Sequence, residues 1–215
     1  MLYKVGTNDP FTFRRDFSIL GTVGTVRDVS FLIDFLPSFL YPTGRMPIVE
    51  WGVAGMSLGG HTAWIALVTG KLSDRFKERR IFTDMNVPYL EPRIKTGISI
   101  IGCPDYLRLM TQRAMKEKQD VEKCFPATFK EALKGFDPAS VLDQGHNPFT
   151  GKQIQILSGK DDKLVPWKTS QEFVEEKLDV GAEGVKEVKL YDGIGHECCD
   201  DMVEDMASFI AKNCL

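Results

Sequence analysis

The chain has 215 residues, 43% of them hydrophobic, enough to bury one substantial core, so a single domain over residues 1–215 is the simplest organisation. Its 27 basic and 30 acidic residues nearly cancel, which excludes both the basic field of a nucleic-acid binder and an acidic solvating tail; a small-molecule partner is expected. Residues 1–10 lack the charged-then-apolar pattern of a leader, and no run approaches the roughly 20 apolar residues of a membrane span, so the expectation is a soluble, cytoplasmic protein.

The five cysteines are odd in number and lack CxxC spacing, which argues against a disulfide framework or a structural zinc site. No metal and no cofactor is expected. A redox role for the adjacent Cys198 and Cys199 is the weaker reading, because neither has an activating neighbour beyond His196.

In chain order, Val29, Leu32, Ile33 and Leu36 recur at helical spacing, and Pro37 with the turn-rich stretch Pro42 to Pro47 is expected to end that helix. A buried strand is expected over Ile48–Ala54. Gly55-Met56-Ser57-Leu58-Gly59-Gly60 follows and leads into an apolar helix from about His61 to Val68, which Gly70 terminates. The charged stretch Lys71 to Arg93 reads as a short helix and a surface excursion, and Ile98–Ile101 as the next strand. Between Pro104 and Pro148 the patches Tyr106–Lys118 and Pro126–Lys134 are amphipathic and suit a helical cap or lid over a cleft at about 104–148.

The last third alternates regularly: strand Gln153–Leu157, helix Trp167–Leu178 with Pro166 in its first turn, strand Val185–Tyr191, helix Asp201–Lys212. Val188 and Leu190 are expected to be buried in alternation with Lys189, and Met202, Val203, Met206, Phe209 and Ile210 to form one apolar stripe. Strands separated by helices imply an α/β fold, a mostly parallel sheet with helices on both faces.

The segment Gly55 to Gly59 fits G-x-S-x-G, which holds a serine on a sharp, strained strand-to-helix turn, with glycines where side chains would collide. Its setting between an apolar strand and an apolar helix gives the pattern its weight. A neutral hydroxyl is a weak nucleophile, so Ser57 needs a base within hydrogen-bond reach and the base needs an orienting carboxylate, in the chain order serine, acid, histidine. Of the three histidines, His61 lies on the helix after the turn and reads as a packing or surface residue, and His146 precedes the late acid and reads as a loop residue. His196, in Gly193-Ile194-Gly195-His196 between the last strand and last helix, is the candidate base. The acid comes from Gly159-Lys160-Asp161-Asp162-Lys163-Leu164-Val165-Pro166, at the carboxyl end of a strand, where parallel sheets place their sites. Asp162 is preferred to Asp161, which is closer to the turn and more readily solvated. The Leu58 N–H is the first oxyanion donor. Gly21-Thr22-Val23-Gly24 as a phosphate-binding loop is a weak reading, since it lacks both the Walker lysine and the G-x-G-x-x-G spacing.

Together Gly55–Gly60, Gly159–Pro166 and Gly195-His196 resemble the α/β-hydrolase superfamily, especially its esterase, dienelactone-hydrolase and prolyl-oligopeptidase-like branches. More narrowly, Asp28-Val29-Ser30, Leu32 to Pro37, Ser57 to His61 and Gly102 to Tyr106 are similar to a group of fungal α/β hydrolases. The resemblance implies a serine hydrolase that cleaves a small-molecule carboxylic ester through an acyl-enzyme on Ser57. A peptidase or thioesterase would use the same three residues, and a non-catalytic binding protein on the same fold is the reading from another class. The superfamily usually carries several strands, and the loop giving the second oxyanion donor, before its nucleophile; Ser57 has room ahead of it for one strand and one helix. The expectation is therefore an N-terminally shortened chain with the early strands missing and a bare sheet edge that favours self-association.

Overall fold

The computed structural model describes residues 10–44, 48–68, 93–143 and 147–214, with side chains from Gly21 onward. The expected Lys71–Arg93 excursion, apart from Arg93, together with Gly70 and His146, lies outside the described residues.

Helix α1 (Pro10–Leu40) leads to β1 (Trp51–Met56) and α2 (Leu58–Val68), then β2 (Ile94–Ile100). Four short helices follow: α3 (Tyr106–Lys116), α4 (Val121–Cys124), α5 (Ala127–Leu133) and α6 (Pro138–Leu142). The chain closes with β3 (Gln153–Gly159), α7 (Trp167–Glu172, continued by a π turn over Phe173–Lys177), β4 (Val185–Tyr191) and α8 (Asp200–Asn213). The strands form one parallel sheet in the order β1-β2-β3-β4.

Strand position explains strand burial. The central pair β2 and β3 is nearly continuous in burial, as strands covered on both faces must be. On β3, Ile154 and Ile156 join one core with Trp64 and Leu67 of α2, Val26 and Ile33 of α1 and Phe173 of the π turn. The adjacent Leu157 points the other way, into a second core with Ile98, Ile100 and Met202 and Phe209 of α8. In the first core Trp64 meets Phe149 and Phe173 edge-on, at centroid distances of 5.9 and 5.7 Å. Every residue of α2 from Gly60 to Val68 is buried, because α1 covers the side that the sheet does not.

Five expectations are corrected. The buried strand expected at Ile48–Ala54 runs over Trp51–Met56 and is half-exposed: among the described residues β1 has a partner on one side only, so Gly52, Ala54 and Met56 face solvent while Trp51 and Val53 pack on the first core. Helix α1 continues through Pro37, which removes one ladder bond, and the Tyr41 N–H closes the next one on the Pro37 carbonyl at 2.9 Å. On β4, the other edge, Val188 is exposed and Lys189 half-buried, since it is the opposite face, with Val185, Lys189 and Tyr191, that packs against α8. Val203 likewise leaves the α8 stripe for solvent, while Met206 and Ile210 join Met202 and Phe209 against the sheet. The Gly21–Gly24 segment lies within α1 and forms no loop, which removes the phosphate-loop reading.

Helices α3 to α5 build a small core of their own around Tyr106, Met110, Cys124, Phe125 and Leu133. Asp137 ties this insertion together: its buried carboxylate accepts from the Tyr106 N–H at 2.8 Å, at the start of α3, and from Ser140 Oγ at 3.1 Å. Burial pushes this carboxyl up to about 7 despite those bonds. Along α1, Phe31, Phe35 and Phe39 project at helical spacing away from the core and are exposed.

Candidate active site

Ser57 stands between β1 and α2 at φ +55°, a left-handed conformation that a serine adopts only when its surroundings impose it. The surroundings are specific. The Ser57 N–H donates to the Ile100 carbonyl at the end of β2, and its own carbonyl accepts from the His61 N–H, at 2.9 and 3.0 Å. A Cβ on Gly55 would stand 2.1 Å from the Gly59 oxygen, and one on Gly60 would meet the Ile100 oxygen at 2.8 Å and the Gly102 Cα at 2.9 Å. The turn can be this sharp because those two positions carry no side chain. Gly59 differs, for a Cβ there would meet nothing within 4 Å. The sterically required pair is thus Gly55 and Gly60, not the two glycines of the motif.

The late loops bring the other two candidates to the same rim. Ser57 Oγ lies 2.8 Å from His196 Nε2, and His196 Nδ1 lies 2.8 Å from Asp162 Oδ2. Asp162 is fully buried at its side chain and His196 is 21% exposed, so the imidazole bridges a dry carboxylate and an accessible hydroxyl. The remaining oxygen, Asp162 Oδ1, accepts from the Leu164 and Val165 N–H groups at 2.8 and 2.9 Å. Those donors compensate the burial of a charge and turn Oδ2 toward the ring. Asp161, one residue earlier, is exposed, and its backbone N–H donates to Ile194.

The two loops are fastened to each other by backbone. Lys160 N–H donates to the Tyr191 carbonyl at 2.9 Å and Asp161 N–H to the Ile194 carbonyl at 3.0 Å, extending the β3–β4 pairing past the strand ends. Leu58 opens α2, so its N–H belongs to the first turn, whose donors have no acceptor within the helix and point outward beside Ser57.

His61 is buried, 7% exposed, and packs on the loop after β2. Its Nδ1 lies 2.9 Å from the Cys103 amide nitrogen and 3.0 Å from the Cys103 carbonyl oxygen, so the Cys103 backbone holds the ring in either tautomer. Burial lowers its pKa to about 4, so it is neutral across the physiological range and plays no part in the Ser57 chain of hydrogen bonds. The Cys103 thiol is pushed up to about 11 by burial, and burial raises Cys198 as well, so neither is an activated nucleophile. The contacts among Gly60, Gly102, His61 and Cys103 escape a sequence reading, since they depend on the spacing between β2 and α2. Only the G-G-H run hints at them.

No protein-family model and no curated protein matches the sequence. Among solved structures, the chain is similar to the bifunctional GH43-CE protein of Bacteroides eggerthii, with 22% identity, 87% of this chain and 25% of that one covered, and a TM-score of 0.53. It is also similar to a dipeptidyl aminopeptidase IV-like protein of Bacteroides ovatus, with 16% identity, coverage of 82% and 21%, and a TM-score of 0.50. Arabidopsis thaliana SOBER1 aligns at 15% identity and a TM-score of 0.48; the chain is covered over 90% of its length and spans 65% of SOBER1, less than two thirds. The parallel sheet and the strained serine between β1 and α2, together with the likenesses to the two Bacteroides proteins, give the chain the α/β-hydrolase fold.

Proposed function

We propose that the protein is a serine hydrolase that cleaves a small-molecule carboxylic ester through an acyl-enzyme on Ser57. The observation that carries this reading is the unbroken chain from Ser57 Oγ through His196 to the buried Asp162, with 2.8 Å at each step. His196 Nε2 takes the serine proton as Oγ attacks the ester carbonyl, and Asp162 holds the Nδ1–H tautomer and stabilises the imidazolium that forms. The position of Leu58 at the start of α2, next to Ser57, supports its N–H as the donor to the developing oxyanion, and such a donor is worth about a hundred- to thousandfold in rate. Collapse of the tetrahedral species expels the alcohol, which takes the proton from His196. Water, deprotonated by the same imidazole, then releases the acid and restores Ser57.

The test is a matched set of p-nitrophenyl ester, acyl thioester and aminoacyl-anilide substrates. A stoichiometric burst on the ester, absent in Ser57→Ala, supports the esterase. Turnover of only the thioester or only the anilide transfers the assignment to a thioesterase or peptidase using the same three residues. A folded protein inert toward all three favours a non-catalytic binding protein.

A second reading concerns assembly. The edge of β1, which has no partner among the described residues, and the exposed Phe31, Phe35 and Phe39 of α1 favour self-association. Sedimentation showing a monomer at all concentrations removes it.

A further inference from the structure

We propose that Arg113, on the first helix of the insertion, is a positioning residue that extends the Ser57–His196–Asp162 chain through a single peptide unit. The inference rests on the hydrolase reading for its catalytic meaning and on geometry for its structural one.

The peptide linking Leu164 to Val165 is one planar, resonance-coupled group. Its N–H, carried by Val165, donates to Asp162 Oδ1 at 2.9 Å. Its carbonyl oxygen, carried by Leu164, accepts from Arg113 Nη2 at 2.5 Å. A cationic donor on the oxygen draws electron density through the amide, which makes the N–H a stronger donor to the carboxylate. Guanidinium, peptide, carboxylate, imidazole and hydroxyl therefore form one continuous line of hydrogen bonds.

Packing holds the guanidinium in place. Leu109, one turn before Arg113 on α3, is buried against Val165 of the acid loop and Cys103 of the loop after β2. Arg113 Nη1 also rests on Met110 Sδ at 3.6 Å, which restrains the side chain. The insertion thus grips the acid loop with an apolar contact and a charge-assisted bond, both within three residues of Asp162 along the chain. A substrate that moved α3 would reach Asp162 by this route.

Arg113→Met keeps the stem and removes the donor, whereas Arg113→Lys keeps a cationic donor. Two measurements on the full chain are made at matched melting temperature. The first is amide hydrogen exchange at Val165, followed by NMR: Arg113→Met speeds exchange about tenfold or more, and Arg113→Lys returns it most of the way. The second is the rate at which a fluorophosphonate modifies Ser57, which drops about three- to tenfold in Arg113→Met and recovers in Arg113→Lys. Unchanged Val165 exchange in Arg113→Met overturns the inference, whether or not the protein labels. Changed exchange with an unchanged labelling rate overturns its catalytic part. Absence of any Ser57 adduct in the unsubstituted protein is a failure of the hydrolase reading instead, and leaves the exchange measurement to decide the role of Arg113.

Discussion

Gly159 closes β3 directly beneath the backbone of Ile194: a Cβ added to it would lie 2.3 Å from the Ile194 oxygen and 2.6 Å from the Gly195 oxygen. The loop carrying Asp162 and the loop carrying His196 approach this closely only because Gly159 has no side chain. Neither oxygen is the end of a flexible side chain, so the contact cannot be relieved without moving one loop.

Gly159→Ala is therefore expected to separate Asp162 from His196. Overpacking of this kind costs about 1–3 kcal/mol of stability. A shift of about 1 Å at the imidazole costs on the order of a hundredfold in rate. Urea unfolding and ester turnover measured on the same preparation check both values.

The two aspartates separate by substitution. Asp162→Asn should reduce turnover by about 10⁴-fold, because the amide no longer holds the reactive imidazole tautomer. Asp161 is exposed and contributes its backbone N–H to the loop pairing, so Asp161→Asn should stay within about twofold of the unsubstituted rate, as surface changes usually do. Equal losses in the two variants would contradict the assignment.

The elbow glycines give a contrast that the motif alone does not suggest. Gly60→Ala would drive a methyl group to 2.8 Å from the Ile100 oxygen, the atom that binds the Ser57 N–H, and both folding and activity should suffer. Gly59→Ala meets open space in the first turn of α2 and should be neutral or stabilising by about 0.5–1 kcal/mol through helix propensity. Thermal denaturation of the two variants distinguishes them directly.

Two buried groups make opposing contributions to acid stability. His61, lowered to about 4, stays neutral in the fold while the unfolded chain binds a proton, so its contribution is lost as pH falls from about 6.5 toward 4. Asp137, raised to about 7, keeps its proton in the fold after the unfolded chain has released it, so its contribution falls as pH rises from about 4 through 7. Between pH 5 and 7 each is worth about 2 kcal/mol, with opposite signs. Asp137→Asn retains an acceptor for the Tyr106 N–H and removes the titration. It should expose a loss of about 2 kcal/mol on going from pH 7 to pH 5, which the unsubstituted protein conceals. Denaturant unfolding at the two pH values measures it.

Much of the frame was legible in the sequence where one physical signal dominates. Val185–Tyr191 is a strand and Asp200–Asn213 a helix, close to the expected bounds, because turn residues punctuate clear periodicity there. The convergence of Ser57, Asp162 and His196 was legible because a local motif marks each of the three. The rest depends on distances between elements. The sequence around Val188 alternates as a half-buried strand does, but which side is covered is decided by α8 and the edge position of β4. The tolerance at Gly59, the intolerance at Gly60, the burial of His61 on Cys103 and the reach of Arg113 to Leu164 come from the packing of helices on loops far along the chain.

Activation of Ser57 as a nucleophile by His196 is tested most directly by the intact mass of the protein after treatment with a fluorophosphonate. One phosphonyl adduct is expected, mapped to Ser57, lost in Ser57→Ala and formed orders of magnitude more slowly in His196→Ala. A folded protein that gains no adduct, or one that labels equally well without His196, would contradict it.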